Sequence, residues 1–461
     1  MALHTFRLRK AGRLALLMLA AFGGGAWAAH QAGASTQAES PYDLLDQMAR
    51  VLVLIENEYV DPVDRTRLIE GSIKGMVAEL DPHSSYLPAA DYDIFQSDTK
   101  GSFGGIGVEV DFSGDGVVVI APIEGSPAHR AGIRPGDRII AIDNLSIRGK
   151  SPDALIRQMR GEPGTEVLLT VRREKIDKLK YFKLKREVIK VSSIRVKLLK
   201  EGVGYIRIKQ FQEGTHTELL QGVADLRKQA NGDLTGVILD MRNNPGGLVD
   251  EAASVADEFL PGGAIYTTRH RGKVVNEVRA GPKGVLRRGP VAVLVNEYSA
   301  SAAELVAGAL QDHHRAPLVG TRTFGKGSVQ TIVDLPGGAG LRLTTMRYYT
   351  PDGHAIQAQG VRPSVTIKAA YAEDTSFGVI READLDRHLP PEQPRTEKGA
   401  TGKEPGAGGA EGTRATDAPP VGDDATHLGV ARQIPFDPTQ GPDFQLSVAY
   451  QIVTGVIAPA E

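Results

Sequence analysis

Apolar positions along the chain change period several times, and each change marks an element or a boundary. Leu44, Leu45, Met48, Val51, Leu52 and Ile55 recur at helical spacing, and so do Ile69, Ile73, Met76, Val77 and Leu80. Two amphipathic helices, parted by Asp61-Pro62, are therefore predicted across 40–95, behind a flexible lead-in over 29–40. From 96 to 188 the pattern shortens to strands punctuated by glycine. It opens on Gly104-Gly105-Ile106-Gly107-Val108-Glu109-Val110, turns at Ser113-Gly114-Asp115-Gly116, and continues through strands at 117–120 and 139–142. A helix closes this unit, with Ser151 as N-cap, Pro152 at its first position and Gly161 just past its end. Residues 172–200 are densely basic. Arg172, Arg173, Lys183, Lys185 and Arg186 alternate with Tyr181, Phe182, Leu184 and Val188, which predicts strands with a solvated charged face.

Short β-branched runs then return at Val203–Ile208, 237–239, Val291–Val295, 317–319 and 341–349, with helical patterns around 219–226 and after Ser301. Strands alternating with helices over 189–382 predict an α/β core. From 383 to 432 the composition gives way to Pro, Gly, Glu, Lys and Thr. Such a stretch buries too little apolar surface to offset its ordering entropy, so a disordered linker is expected there. Leu446, Ala449, Tyr450 and Val453 then recur at helical spacing behind Asp443, giving a final helix over 441–458. A lone helix of that length is marginal in water. It is therefore expected to dock, with homo-oligomerisation or adaptor binding as the expected use.

Composition narrows the class by exclusion. A chain of 461 residues with 41% hydrophobic and 24% charged content should hold two or three ordinary globular domains. A formal charge of −2 predicts no nucleic-acid partner. The absence of cysteine removes a thiol nucleophile, a disulfide framework and a thiolate metal site. Compartment is read from the N-terminus instead. Arg7, Arg9, Lys10 and Arg13 precede a compact apolar run over 14–22, and Ala26-Trp27-Ala28 offers a small-x-small cleavage site. Residues 1–28 are thus expected to be a signal peptide cleaved after Ala28, placing the protein in the periplasm or another extracytoplasmic space. The apolar run is shorter than the roughly 20 residues of a spanning helix. If uncleaved, it would leave the protein membrane-associated.

Candidate chemistry concentrates in 291–330. Ser301 opens a helical pattern, where free N–H groups and the helix dipole favour developing negative charge. With Glu304 it also fits an S-x-x-E capping box, which accounts for a serine there without any reaction. Gly320 to Lys326 spells G-x-x-x-x-G-K, but Gly327 stands where a phosphate-binding loop needs Ser or Thr, and 329–335 reads as strand rather than helix. The nucleotide reading fails on both counts. Upstream, Asp240-Met241-Arg242-Asn243-Asn244-Pro245-Gly246-Gly247 is a polar, glycine-rich turn after a buried strand, a place for exposed N–H donors.

These stretches together resemble the carboxyl-terminal processing peptidases, tail-specific serine proteases that use a Ser–Lys dyad. The family signature S-A-S-A-x-E followed by F-G-K-G-x-x-Q stands complete at 299–304 and 324–330. The resemblance runs from about residue 40 to about residue 370, and takes in Asp81-Pro82-His83-Ser84 with Tyr86. It implies Ser301 as nucleophile, Lys326 as general base and Gln330 as the residue orienting the lysine. It further implies an oxyanion hole from the amide of Ala302 with that of Gly246 or Gly247. His83 reads as a loop-stabilising histidine, His313 and His314 as cations closing the nucleophile helix, and His354 lacks a partnering acid for a Ser–His–Asp site.

The segment 96–188 resembles a PDZ domain, in which a peptide adds as a strand and backbone N–H groups hold its terminal carboxylate. Gly105, Ile106, Gly107, Val108, Leu155 and Met159 would line that groove, with core packing an equal explanation for some of them. Arg160 is the candidate sensor of an occupied groove, and a helix C-terminal cation otherwise. The implied fold is α/β: a crotonase-like helix-and-sheet core with N-terminal helices and an inserted, mostly-β PDZ domain. The implied activity is endopeptidase cleavage near exposed, apolar, unstructured C-termini, without metal or cofactor. The resemblance permits an adaptor lipoprotein as partner. The rival readings are a catalytically inactive PDZ-type scaffold and a Ser–His–Asp hydrolase of small esters.

Overall fold

The computed structural model describes residues 41–112, 117–174, 176, 178–367, 380–391 and 443–458. The expected signal peptide, the 113–116 turn and residues 392–432 of the expected linker lie outside the described residues. The chain divides into two units, 1–75 and 76–461. In the first, the helix Pro41–Glu58 forms as the periodicity predicts, and the helix Arg65–Ala78 begins. The stripe of Leu44, Leu45, Met48 and Val51 is exposed.

The second unit is organised by a six-stranded sheet. The β-branched runs Val203–Ile208, Gly236–Asp240, Val291–Val295 and Leu318–Gly320 pair in parallel, with Ile194–Leu198 antiparallel at one edge and Val365–Thr366 parallel at the other. Parallel strands must be covered on both faces, which is why these runs are apolar at nearly every position. Val237, Leu239, Val291, Val293 and Leu318 point into a core shared with the helices Thr215–Ala230, Val249–Asp257 and Ala302–Asp312. Ile238, Ala292, Leu294 and Val319 point to the opposite face, where Val448, Ala449, Ile452 and Val453 of the helix Phe444–Val453 cover them.

That seating answers what the final helix docks on. Val448, Ala449, Ile452 and Val453 are buried against the chain's own sheet, so the expected docking is met within the chain at these positions, while Leu446 and Tyr450 are partly buried and Phe444 is exposed. Its N-cap Asp443 also pairs with Arg242, at 2.7 Å. Deleting 441–461 should therefore destabilise the fold. Uncovering four buried side chains at ~1.5–3 kcal/mol for each large one predicts a loss on the order of 5 kcal/mol. Thermal unfolding of the truncated protein measures it, and an unchanged melting temperature would contradict the packing.

A second, antiparallel sheet runs Ser85–Leu87, Gly340–Tyr349, Ala264–His270, Lys273–Arg279, with Ser328–Asp334 paired to the long strand Gly340–Tyr349. The expected PDZ-like module is a separate sheet, Val108–Asp111, Val117–Pro122, Arg138–Ile142, Glu166–Arg172 and Lys180–Lys185, closed by the helix Pro152–Met159. A two-stranded ribbon, Ser102–Gly105 with Glu187–Lys190, bounds it. The expected boundary at 96 falls inside the helix Ala89–Thr99, which runs on until Lys100 caps it and Gly101 turns with φ +65°.

Of the basic residues expected on a solvated face, Arg186 is instead buried and Arg173 is half-buried. Arg173 pairs with Asp137 at 2.6 Å, and Arg186 donates to the carbonyls of Gln158 and Glu166 at 2.7 and 2.8 Å, closing the end of the PDZ-like helix. The expected linker also begins too early. Residues Glu382–Asp384 form a 3₁₀ turn with Glu382 fully buried, because its carboxylate has partners that composition cannot reveal.

Candidate active site

The strand Val291–Val295 ends at Asn296, and the helix Ala302–Asp312 begins after a short turn. Between them the chain is tied to the 240–247 turn. Asn296 and Asn243 exchange side-chain and backbone hydrogen bonds at 2.7 and 2.9 Å, and the Ala300 N–H donates to the Asn244 carbonyl at 2.9 Å. Ser299 is consumed by this scaffold. Its hydroxyl donates to the Met241 carbonyl at 2.8 Å and accepts the Asn296 N–H at 2.9 Å. Ser301 sits at the helix N-cap with φ +56° and ψ −118°, a region L-residues adopt only when the surroundings impose it. This strained turn ends a fully buried strand and starts a buried helix, which leaves little room for it to relax.

Gly246 and Gly247 fit their turn for steric reasons. A Cβ on Gly246 would lie 2.8 Å from Ser301 Cβ and 2.8 Å from the Ala300 carbonyl, and one on Gly247 would collide with the Phe211 carbonyl. The two glycines thus lie against the Ser301 turn. The Gly246 N–H is occupied, donating to Asn244 Oδ1 at 2.8 Å, whereas none of the described hydrogen bonds uses the N–H of Gly247 or Ala302. Asp240 is buried beneath this turn and accepts from Tyr205 Oη and from Arg242, each at 2.7 Å.

Lys326 enters from the 321–327 loop. Its Nζ donates to Gln330 Oε1 at 2.9 Å, so the expected partnership of these two residues is present. Burial, reinforced by the Arg342 cation, lowers the lysine pKa to about 8, against the opposing pull of Glu382, Asp81 and Glu304. At pH 7.4 that leaves ~20% of the lysine neutral, compared with about 0.1% at an unperturbed ~10.4. Among the described hydrogen bonds, none joins Ser301 Oγ to Lys326 Nζ.

What ties the two residues together is Glu304, read from sequence only as half of a helix cap. Its carboxylate is completely buried. Oε2 accepts the Ser301 N–H and the Lys326 N–H, each at 2.8 Å, and Oε1 accepts the Gly325 N–H at 2.7 Å and the Thr323 hydroxyl. One carboxylate therefore fixes the backbone of both prospective reactants. Burial pushes its pKa up to about 7, opposed by these four hydrogen bonds.

The PDZ-like residues are brought together but not laid open. Ile106, Leu155 and Met159 share one core cluster at 2%, 3% and 6% exposure, with Val108 packed against it. Gly107 (φ +72°) gives its carbonyl to Ser126 Oγ at 2.8 Å, and Gly105 is buried beside Phe103. Core packing accounts for Ile106, Leu155 and Met159, while Val108 is half-buried. Arg160 caps the helix Pro152–Met159, pairs with Asp98 at 2.9 Å and lies 4.3 Å from the Phe103 ring centre. No described contact links it to Ser301 or Lys326. His313 places Nε2 2.6 Å from the Ala264 carbonyl oxygen, which accepts from it, so this histidine serves the fold. Asp312, Asp352 and His354 lie close enough to offer ligand atoms to a cation, but Asp352 and His354 are exposed and nothing further points to a site.

An α/β core presenting a serine on a strained helix N-terminus, and carrying a PDZ domain, is that of a serine-type peptidase. Residues 202–367 match the model of Peptidase family S41, residues 118–173 the PDZ domain, and residues 22–90 the activating protease CtpB N-terminal domain. The chain is 38% identical over 431 residues to a carboxy-terminal-processing protease of Bartonella bacilliformis, covering 92% of this chain and 91% of that one. It is 40% identical over 327 residues to a probable CtpA-like serine protease of Staphylococcus aureus (strain COL), covering 70% and 64%. Among solved structures it is similar to a photosystem II D1 C-terminal processing protease, at 31% identity and a TM-score of 0.44, covering 67% of this chain and 84% of that one. The chain belongs to the carboxy-terminal-processing proteases of peptidase family S41. The expected family, fold class and serine-peptidase activity hold, and the inactive-scaffold reading is not favoured.

Proposed function

We propose that the reaction runs through Ser301 and Lys326, with Gln330 orienting the lysine. Neutral Lys326 takes the Ser301 proton as Oγ bonds to the scissile carbonyl carbon, and the C=O electron pair moves to oxygen. The oxyanion is met by the Ala302 amide and one of Gly246 or Gly247; use of Gly246 requires its bond to Asn244 to break, and use of Gly247 does not. The lysine then protonates the departing amine as the C–N bond breaks. Water, deprotonated by Lys326, releases the acyl group from Ser301. The observation that carries this reading is the buried, pKa-lowered lysine held by Gln330 and joined to Ser301 through Glu304.

Substrates on this reading are proteins with exposed, apolar, unstructured C-termini, read by the PDZ domain. Ile106, Leu155 and Met159 are buried in the domain's core cluster, so on this reading a tail that packs on them displaces part of that packing, which would couple occupancy to access. Arg160 would then exchange Asp98 for a contact nearer the catalytic turn. The exported, extracytoplasmic location rests on the N-terminal pattern of residues 1–28; among the described residues no helix is long and apolar enough to cross a membrane. An adaptor lipoprotein and a homo-oligomer remain parts of the proposal. The final helix buries Val448, Ala449, Ile452 and Val453 against its own sheet, and the exposed stripe of Pro41–Glu58 is the larger apolar surface available for docking.

The test is digestion of an unfolded protein with an apolar tail, followed by mass spectrometry of the fragments. Ser301→Ala is expected to abolish cleavage while Ser299→Ala, though destabilised, keeps it in proportion to the folded fraction. Cleavage surviving in Ser301→Ala would overturn the assignment, and none by the wild type would restore the scaffold reading.

A further inference from the structure

The loop that carries Lys326 is gripped by residues 380–391, which lie beyond residue 367, where the peptidase-family match ends. Arg381 donates from one guanidinium nitrogen to the carbonyls of Arg322 and Thr323, both at 2.8 Å, and the Glu382 N–H donates to the Phe324 carbonyl at 3.2 Å. The Glu382 carboxylate is fully buried. Its Oε1 accepts from Gln357 Nε2 at 2.7 Å, and Gln357 Oε1 in turn accepts the Gly327 N–H at 3.0 Å. Its Oε2 lies 2.7 Å from His83 Nε2. Gly327 cannot carry a side chain here, since a Cβ would fall 2.3 Å from the Gln357 backbone nitrogen. The far end of the segment is anchored as well, by Arg387 to the Ala78 carbonyl and the Glu79 carboxylate, each at 3.0 Å.

We propose that Glu382 is a positioning residue for the peptidase reaction. Through Gln357 it fixes the Gly327 amide, and with it the backbone from which Lys326 reaches Gln330, while His83 holds the other carboxylate oxygen. This rests on Lys326 being the general base. A purely structural bridge would be served as well by glutamine, which can present its oxygen to Gln357 and its amide to the unprotonated nitrogen of the His83 ring. A buried carboxylate is a costlier choice than an amide, and its charge acts on the lysine. The charged groups bearing on Lys326 are Arg342, which disfavours the ammonium, and Glu382, Asp81 and Glu304, which favour it. Glu382 therefore does two things: it sets the position of the loop, and it keeps the lysine pKa from falling further.

Both roles can be read in the full-length protein with a short unstructured peptide as substrate, measuring kcat and KM from pH 6 to 10 beside thermal melts. Glu382→Gln preserves the bridge but removes the anion, so the acid limb of kcat should move to lower pH. Glu382→Ala should lower kcat at least tenfold, with KM little changed, because the Gly327 amide loses its oriented partner. An acid limb unmoved in Glu382→Gln would overturn the proposal, and it decides alone if Glu382→Ala fails to fold. Equally, a kcat loss in Glu382→Ala no greater than its loss of folded fraction would overturn it. Lys326→Ala separates the two levels. Activity retained there overturns the base assignment and this proposal with it, whereas an inactive Lys326→Ala beside an unmoved Glu382→Gln overturns this proposal only.

Discussion

Lys326→Arg is expected to be inactive although it keeps the positive charge. A base must exist in its neutral form, and a guanidinium does not deprotonate in a protein. The wild-type lysine does, because burial lowers its pKa to about 8. On the proposed mechanism protonated Lys326 cannot accept the Ser301 proton, so activity should rise with pH through about 8 and fall away below it. The same shift is a stability statement. The folded-state pKa lies below the unfolded value, so the folded protein binds fewer protons between about 8 and about 10.4, and stability rises with pH across that window. Below it the fold carries the full cost of a buried ammonium, on the order of 3 kcal/mol. Lys326→Met should therefore also be inactive, yet melt at a higher temperature than the wild type at pH 7. Appreciable peptide hydrolysis by Lys326→Arg, at a rate above that of Ser301→Ala, would remove the lysine from the mechanism.

The parts of this site that sequence alone reveals are those whose cause is local. A β-branched run such as Val291–Val295 must be buried, and a serine following it must sit where a helix begins. The pairing of Lys326 with Gln330 is implied by the family signature alone, since residues four apart at a strand entry have no spacing rule that brings their side chains together. Glu304 is legible only in part. Its contact with Ser301 lies three residues away and reads as a cap, but its bonds to Gly325 and Lys326 come from 21 and 22 residues downstream, where no spacing rule points back. Glu382 is illegible. One of three acidic residues within 382–386, at the edge of a Pro- and Gly-rich stretch, it is not singled out by any periodicity, and its partners His83 and Gln357 are brought to it by the fold. The final helix shows the complementary limit. Its apolar spacing announces that it must dock, and the second face of the parallel sheet announces that something must cover it, yet neither pattern names the other. Arg186 fails for a related reason, since strand alternation assigns a face but not the helix end packed against it.

Glu304→Gln should cost both activity and stability, and should be no milder than Glu304→Ala. All four groups that meet this side chain are donors in the present arrangement: the N–H groups of Ser301 and Lys326 on one oxygen, and the Gly325 N–H with the Thr323 hydroxyl on the other. A carboxylate accepts from all of them. An amide has one oxygen, so whichever way the substituted side chain is turned, its NH₂ faces at least one backbone N–H that cannot rotate away. Thr323 can reverse its hydroxyl, although that hydroxyl oxygen also accepts the Val361 N–H at 2.7 Å; Gly325 cannot adjust at all. Hydrogen bonds to a charged group are worth roughly 1.5–3 kcal/mol each, so losing one or two predicts a destabilisation of about 3 kcal/mol in denaturant unfolding. The consequence for catalysis is geometric. The same oxygen fixes the amides of Ser301 and Lys326, and a displacement of about 1 Å between reacting groups can cost ~10²-fold in rate. The pH dependence separates this from ordinary core damage. Burial raises the Glu304 pKa to about 7, above its unfolded value, so the folded wild type binds more protons than the unfolded chain and this group's contribution to stability falls as pH rises from about 4.5 to about 7. Glu304→Gln has no such group and should lose that slope. A variant with wild-type kcat and an unchanged stability profile would mean that the carboxylate neither holds the two reactants in register nor titrates in the fold.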